Sequence, residues 1–119
     1  MYKVVKHKYG AKPCYIGAKR FRSKLEKSAY LILRAYMEKG DILFFLRETP
    51  FELSDDTIKK HKVDFMVFFK SGDVACLESK GVDTESGKLR RKLTEGQYGI
   101  EIYVAQKDIE VHHFISLHN

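Results

Sequence analysis

The middle of the chain carries three charged side chains whose types and spacing suit the hydrolysis of a phosphodiester. Asp64 lies in the run Val63-Asp64-Phe65, and the run Glu78-Ser79-Lys80 follows it. On a β-strand, residues two apart share a face, so Glu78 and Lys80 point the same way. Two carboxylates can hold a divalent cation, and an ammonium group can offset the charge that develops on a phosphate. These three residues are therefore candidates for a metal-dependent catalytic site.

The turn between the two strands decides whether Asp64 joins the other two residues. If residues 70–72 form a three-residue loop, Asp64 faces Glu78 across the hairpin, and carboxylates about 5 Å apart can share one cation. A two-residue loop would instead pair Asp64 with Ser79 and send Glu78 to the opposite face. Gly72 stands at the last position of the longer loop, where the backbone is left-handed, and it favours the first arrangement.

The clearest predicted element is a helix that begins after Ser23. Residues 23–26 fit a capping box, in which the Ser23 hydroxyl and the Glu26 carboxylate each accept a hydrogen bond from the other's backbone N–H. Gly40 suits a left-handed cap at the end of the helix. Apolar residues recur on one helical face: Leu25, Ala29, Ile32, Leu33, Tyr36 and Met37.

The rest of the pattern predicts several strands and one more helix. Strands are expected at residues 42–46, 49–53, 62–69, 74–79, 100–105 and 109–117, with a short hairpin near residues 15–17 and a polar loop at residues 54–61 in which His61 is exposed. A second helix is expected at residues 88–98, with Leu89 and Leu93 facing inward and Lys88, Arg90, Arg91 and Lys92 facing mostly outward. This order predicts a single α/β or α+β domain over residues 1–119, with a mixed central sheet.

The charge of the chain is unevenly distributed. Residues 1–39 hold 11 Lys and Arg against 2 Asp and Glu, whereas residues 40–119 hold 11 against 14, for a net charge of +6. We interpret residues 1–22 as a basic arm that contacts the phosphates of a nucleic acid, while a solvated basic surface is the alternative that charge alone leaves open. The candidate contacts in the arm are Lys8, Lys12, Lys19, Arg20 and Arg22.

Several other classes of site find no support in the sequence. No apolar run approaches the roughly 20 residues that span a bilayer, and the first residues lack the apolar segment of a signal peptide, so we expect a cytoplasmic protein with no membrane partner. Cys14 and Cys76 have no metal-ligand spacing and are expected to be reduced thiols. Because no Gly-rich phosphate loop or base-activated Ser or Cys is evident, we expect no organic cofactor and no covalent nucleophile.

Together these motifs resemble the PD-(D/E)xK nuclease superfamily, which includes restriction enzymes and junction resolvases. More narrowly, the chain looks like a small phage-encoded endonuclease group in the segments Lys8-Tyr9-Gly10-Ala11, Phe21-Arg22-Ser23-Lys24-Leu25-Glu26, Val63-Asp64-Phe65, Glu78-Ser79-Lys80-Gly81 and Tyr98-Gly99-Ile100. The superfamily's Pro before the Asp is replaced here by Val63.

The resemblance implies a restriction-endonuclease-like core and a deoxyribonuclease that depends on Mg²⁺, with Mn²⁺ as an alternative. It implies that Asp64 and Glu78 bind the metal and that Lys80 serves the transition state. It also implies that the first helix adds a carboxylate to the metal site, here Glu26, for which the capping box is a competing explanation. Phosphate contacts on the second helix would be Lys88, Arg91 and Lys92. The implied substrate is branched DNA, most simply a phage Holliday junction, where two symmetric cuts imply a homodimer.

Three alternatives remain open at the level of the sequence. The same chemistry could act on duplex DNA, as in a nicking or restriction-type endonuclease, although few residues are left for a recognition domain. A non-catalytic DNA-binding module could have the same fold, although the intact set of Asp64, Glu78 and Lys80 speaks against it. An RNA-binding protein would need exposed aromatic side chains for base stacking, for which Tyr2, Tyr9 and Tyr15 are candidates.

Overall fold

The computed structural model describes residues 12–119, so that Lys8 and the first part of the basic arm lie outside the described residues. The elements in chain order are β1 (Cys14–Ile16), β2 (Lys19–Phe21), α1 (Lys24–Lys39), β3 (Ile42–Glu52), β4 (Lys60–Phe69), β5 (Val74–Ser79), α2 (Glu85–Tyr98), β6 (Ile102–Ala105) and α3 (Asp108–Ser116). Among these residues, no helix combines the length and the apolar character that crossing a membrane requires.

A four-stranded mixed sheet forms the centre of the molecule. Its strand order is β3-β4-β5-β6, in which β3, β4 and β5 are antiparallel neighbours and β6 runs parallel to β5. The parallel pair requires a crossover, which α2 provides. The three helices flank this sheet, and the predicted α/β architecture with a mixed central sheet is confirmed. The strands β1 and β2 form a separate hairpin, as expected near residues 15–17.

The main core lies between the sheet and the helices α1 and α3. Alternate residues of β4, namely Phe65, Val67 and Phe69, are buried in it, as the period of a strand requires. Helix α1 contributes Ala29 and Leu33, which are fully buried. The predicted bounds of α1 are confirmed, because the Ser23 hydroxyl accepts from the Glu26 N–H at 3.1 Å and Gly40 adopts a left-handed conformation with φ of 92°.

The register of the β4–β5 hairpin matches the three-residue loop expected at residues 70–72. Phe65 pairs with Leu77, and the backbone N–H of Phe69 donates to the Asp73 carbonyl at 2.9 Å. Gly72 has a φ of 99°, the conformation for which a glycine is favoured. Asp64 and Glu78 are the next residues beyond the paired segment, at the end of the sheet away from the turn.

Two predicted elements differ from the structure. The strand expected at residues 109–117 is wrong, because this segment is helix α3; its buried residues Val111, Phe114 and Ile115 recur at intervals of a helical turn rather than alternately. The two strands expected at residues 42–46 and 49–53 form one strand, because β3 continues through Pro50. Pro50 lies on an edge strand, where a missing N–H need not cost a ladder hydrogen bond.

We predict that Gly72→Ala lowers the free energy of unfolding by about 1 kcal/mol. A Cβ at Gly72 would meet no atom within 4 Å, so the loss comes from backbone strain at positive φ alone. The matched control is Gly81→Ala, where the space is equally open and the φ lies outside the left-handed region. Chemical denaturation of both variants checks this, and equal stability of the two would contradict the role of the turn.

Candidate active site

Two buried carboxylates from different elements converge on one guanidinium. Glu26, in the first turn of α1, accepts from the backbone N–H of Arg22 at 3.0 Å and from its Nε at 3.5 Å. Arg22 Nη2 also donates to Oδ1 of Asp64, which lies on β4. Glu26 and Asp64 are each 2% exposed, whereas the Arg22 side chain is 53% exposed. A half-exposed cation therefore compensates two carboxylates that are almost completely buried.

The hydrogen bonds near Ser23 explain why the Glu26 carboxylate lies beside the Arg22–Asp64 ion pair. The Ser23 hydroxyl caps the helix as predicted, but the Glu26 carboxylate does not return to the Ser23 N–H. It accepts instead from Arg22, one residue earlier. The capping-box prediction is therefore correct for Ser23 and wrong for the Glu26 side chain. Because Arg22 also binds Asp64, this difference brings the Glu26 carboxylate into the same charged cluster.

Asp64 is tied directly to the Glu78-Ser79-Lys80 segment. The backbone N–H of Ser79 donates to Asp64 Oδ2 at 2.8 Å. Burial raises the pKa of Asp64 from 3.8 to about 6; the Arg22 charge and the Ser79 N–H oppose this rise, while Glu26 and Glu78 add to it. A carboxyl whose pKa is raised in this way, among other buried acids, is typical of a functional site.

Glu78 is held by a second set of side chains, Arg91 and His61. Its Oε1 accepts from Arg91 Nη1 at 3.4 Å, and its Oε2 is in hydrogen-bond contact with Nε2 of His61. The prediction that His61 is exposed in a loop is wrong, because β4 already begins at Lys60 and its alternation turns His61 inward, leaving it 7% exposed. The alternation of residues 60–63 between charged and less polar side chains was the available signal.

Asp64 and Glu78 have different partners within the chain, although their hairpin has the expected register. Arg22 binds Asp64 from one side, while Arg91 and His61 bind Glu78. The repulsion between the two carboxylates is not fully offset, because the charge of Glu78 still contributes to the raised pKa of Asp64.

Arg91 was expected to face outward as a phosphate contact, and this orientation is wrong. Its side chain is buried, and its Nη2 lies 2.6 Å from both carboxylate oxygens of Asp83 while Nη1 reaches Glu78. Helix α2 turns Arg91 and Thr94 toward the sheet and leaves Leu89 49% exposed. Asp83, in the link before the helix, is the partner that the sequence analysis missed. Arg91 thus has a structural place beside the site rather than on its surface.

The remaining candidate basic side chains lie at the surface. Those expected to contact nucleic acid and found exposed are Lys12, Lys19, Arg20, Arg22, Lys88 and Lys92. Lys80 follows β5 directly and is partly buried, and its backbone N–H donates to the Ala105 carbonyl at 3.0 Å. Among the described residues, Lys80 forms no ion pair with a carboxylate, so its charge is available to a ligand.

The carboxylates have the donor chemistry that Mg²⁺ requires, although they are not assembled around a metal. Within residues 12–119, no group of three or more His, Cys, Asp and Glu side chains is arranged to hold a metal ion. Mg²⁺ needs only one or two protein carboxylates, since water and phosphate oxygens complete its shell. Glu26 and Asp64 already direct oxygens at one cation, and the exposed Arg22 is free to move toward solvent. These residues therefore fit a divalent cation that replaces the guanidinium.

Residues 6–109 match the model of a protein family described as "Protein of unknown function (DUF1064)". The matched range includes Glu26, Asp64, Glu78 and Lys80 and ends near the start of α3. No curated protein and no solved structure matches the chain.

We predict a pH-dependent loss of stability that Asp64→Asn removes. Below about pH 4 the carboxyl is protonated in both the folded and the unfolded chain. Between that pH and the folded pKa of about 6, only the folded chain keeps the proton, so the free energy of unfolding falls as the pH rises. The fall attributable to Asp64 is on the order of 3 kcal/mol. Chemical denaturation of the unmodified protein and of Asp64→Asn from pH 4 to pH 7 checks this. Parallel plots of the free energy of unfolding against pH would contradict it.

We predict that Arg91→Met destabilises the fold by about 3 kcal/mol, because it leaves the carboxylates of Glu78 and Asp83 without their buried cation. The control is Lys92→Met, one residue along the same helix and exposed, which should change stability by less than about 0.5 kcal/mol. Urea denaturation distinguishes the two, and a neutral Arg91→Met would contradict the structural role of Arg91.

Proposed function

The chain belongs to the family DUF1064, whose function is unknown, and we propose that it is a metal-dependent endonuclease that hydrolyses phosphodiester bonds in branched DNA. The observation that carries the proposal is the cluster of buried acids at one end of the sheet. Glu26 and Asp64 both bind the guanidinium of Arg22. Asp64 also accepts a hydrogen bond from Ser79, which lies between Glu78 and Lys80. Buried acids in contact with a half-exposed cation are costly for stability and useful for holding a metal.

Asp64 and Glu26 would hold Mg²⁺ or Mn²⁺, with Glu78 next to them on β5. A bound divalent cation would supply Lewis-acid activation of water and charge compensation for the phosphate. Burial keeps the carboxylates fixed and away from bulk water, so they need little reorganisation when the substrate binds. Because Lys80 has no carboxylate partner among the described residues, its ammonium is available to stabilise the charge that develops on the phosphate oxygens.

Arg22 would exchange partners during this cycle. In the structure its guanidinium binds Glu26 and Asp64, and its charge opposes the rise in the pKa of Asp64. With a divalent cation held by Glu26 and Asp64, the half-exposed Arg22 side chain would be free to turn toward solvent, where a DNA phosphate is the natural partner of a guanidinium. The same residue would then contribute to substrate binding.

The distribution of basic side chains supports a DNA backbone as the ligand. Exposed Lys and Arg side chains lie on β2 at Lys19 and Arg20 and on α2 at Lys88 and Lys92. Contacts of this kind are independent of sequence, which favours recognition of the shape of a branched substrate. Two symmetric cuts in a four-way junction, as in a phage resolvase acting in the host cytoplasm, would require a homodimer.

One observation favours a second candidate, a non-catalytic DNA-binding module. The three buried acids already have an arginine from the chain itself, since Arg22 binds Glu26 and Asp64 while Arg91 binds Glu78, which His61 also contacts. A domain with no metal would need such compensation. This candidate predicts DNA binding that is indifferent to Mg²⁺.

We predict that the protein cuts a labelled four-way junction in Mg²⁺, and that EDTA abolishes the cleavage. Asp64→Asn and Lys80→Ala should each reduce the rate by about 100-fold or more, because each removes a group that acts on the reacting phosphate or its metal. The control is Lys70→Ala, an exposed lysine in the turn at the opposite end of the same hairpin, which should cut normally.

The matched linear duplex decides the substrate class. Cleavage of the junction alone supports a resolvase, whereas equal cleavage of the duplex would replace it by a nicking or restriction-type endonuclease. Tight binding without cleavage in either Mg²⁺ or Mn²⁺ would contradict the enzyme and leave the DNA-binding module.

A further inference from the structure

A cluster of cations surrounds Tyr30, one helical turn beyond Glu26 on α1. Lys19 Nζ donates to the Tyr30 hydroxyl at 2.8 Å, and Arg34 Nη1 donates to the same oxygen at 2.9 Å. The guanidinium of Arg47, on β3, lies 5.6 Å from the centre of the Tyr30 ring. Three elements, β2, α1 and β3, thus each contribute a positive charge to one buried phenol.

This cluster has no negative charge of its own. None of Lys19, Arg34 and Arg47 has a carboxylate within ion-pair distance among the described residues. Residues 1–11 contain no Asp or Glu that could supply one. The Nε atoms of Arg34 and Arg47 are also buried without a hydrogen-bond acceptor in the described structure. Gathered positive charges without a carboxylate are costly, and an anion bound beside them would offset that charge.

We propose that Lys19 and Arg34 bind a phosphate of a nucleic acid strand, with Tyr30 fixing their positions and Arg47 adding positive charge. Lys19 is exposed on the β1–β2 hairpin and Arg34 is partly exposed on α1, so a phosphate can approach both from solvent. Arg47 is anchored, because its Nη2 donates to the Arg20 carbonyl at 2.7 Å and its guanidinium lies 4.1 Å from the centre of the Phe21 ring.

The acidity of the phenol is consistent with a positive potential at this position. The hydrogen bond from Lys19 lowers the pKa of Tyr30, against the effect of burial, and the hydrogen bond from Arg34 lowers it further. A fixed phenol oxygen that accepts from both cations holds their side chains together before any ligand binds, which reduces the entropy that binding would otherwise cost.

The position of the cluster relates it to the proposed active site, and in this respect the inference rests on the proposed function. Glu26, Tyr30 and Arg34 are four residues apart in turn, so they lie along one face of α1 with a rise of about 6 Å per step. Phosphates recur about every 3.4 Å along the axis of a DNA strand. A strand with one phosphate at the acids would therefore place another, one or two nucleotides away, beside Tyr30.

The test is the salt dependence of DNA binding in EDTA, where cleavage cannot interfere. Binding of a labelled four-way junction is measured by fluorescence anisotropy between about 50 and 200 mM NaCl. We expect Lys19→Gln and Arg34→Gln each to weaken binding about tenfold near 0.1 M salt and to reduce the slope of log affinity against log salt by about 0.9. Arg34→Lys, which keeps the charge, should retain the slope of the unmodified protein.

The matched control is Lys70→Gln, which removes one exposed charge in the β4–β5 turn and should leave the slope unchanged. Thermal melting of each variant checks folding, and the exposed Lys19 keeps the test valid if Arg34→Gln melts early. Unchanged slopes for both Lys19→Gln and Arg34→Gln would overturn the proposal. Stabilisation by inorganic phosphate that Arg34→Gln loses, with an unchanged DNA slope, would also overturn it by assigning the cluster to a free anion.

These outcomes are independent of catalysis. A protein that cuts no DNA and still shows the reduced slopes would retain this phosphate site while the endonuclease fails. A protein that cuts the junction with unchanged slopes in both variants would retain the endonuclease and lose this site.

Discussion

The structure depends on the compensation of buried carboxylates at one end of the sheet. An ionised acid removed from water is tolerated only next to a cation or a strong hydrogen-bond donor. Glu26, Asp64 and Glu78 are almost completely buried, and each is in contact with Arg22, Arg91 or His61. The compensation of Asp64 is incomplete, since its pKa is raised to about 6 despite the Arg22 charge. Asp64, whose negative charge is incompletely compensated and whose cation Arg22 is half exposed, is therefore the position where we expect a ligand to bind.

The surrounding elements are arranged so that these charges meet. The cap at Ser23 starts α1 three residues before Glu26, whose carboxylate then reaches Arg22. The turn at residues 70–72 sets the register that places Asp64 opposite Glu78, where its carboxylate accepts a hydrogen bond from the Ser79 N–H. Helix α2 crosses between β5 and β6 and inserts Arg91 behind Glu78. One cation at the site is therefore locked in the fold, whereas Arg22 lies at the surface. Arg91 therefore has a structural role, whereas Arg22 is the cation that a ligand could replace.

Local signals in the sequence were sufficient for α1 and for the hairpin register, because a capping serine and a glycine at positive φ act over a few residues. The helix α3 was mistaken for a strand, since a short apolar run is ambiguous until its partners in the core are known. The positions of His61, Asp83 and Arg91 also escaped prediction. Charged and polar residues are normally exposed, and only tertiary contacts, of His61 with Glu78 and of Arg91 with Glu78 and Asp83, make their burial favourable. The candidate acids were recognised from the sequence, but their cations were not.

The most direct test of the central claim is a crystal structure of the protein soaked in Mn²⁺, with an anomalous difference map at the manganese edge. We expect an anomalous peak for a Mn²⁺ ion bound to Asp64 together with Glu26 or Glu78. We also expect the Arg22 side chain to have moved away from both Asp64 and Glu26. A map without a peak at saturating Mn²⁺, with Arg22 still bound to the two carboxylates, would contradict a metal site and leave these charges with a structural role alone.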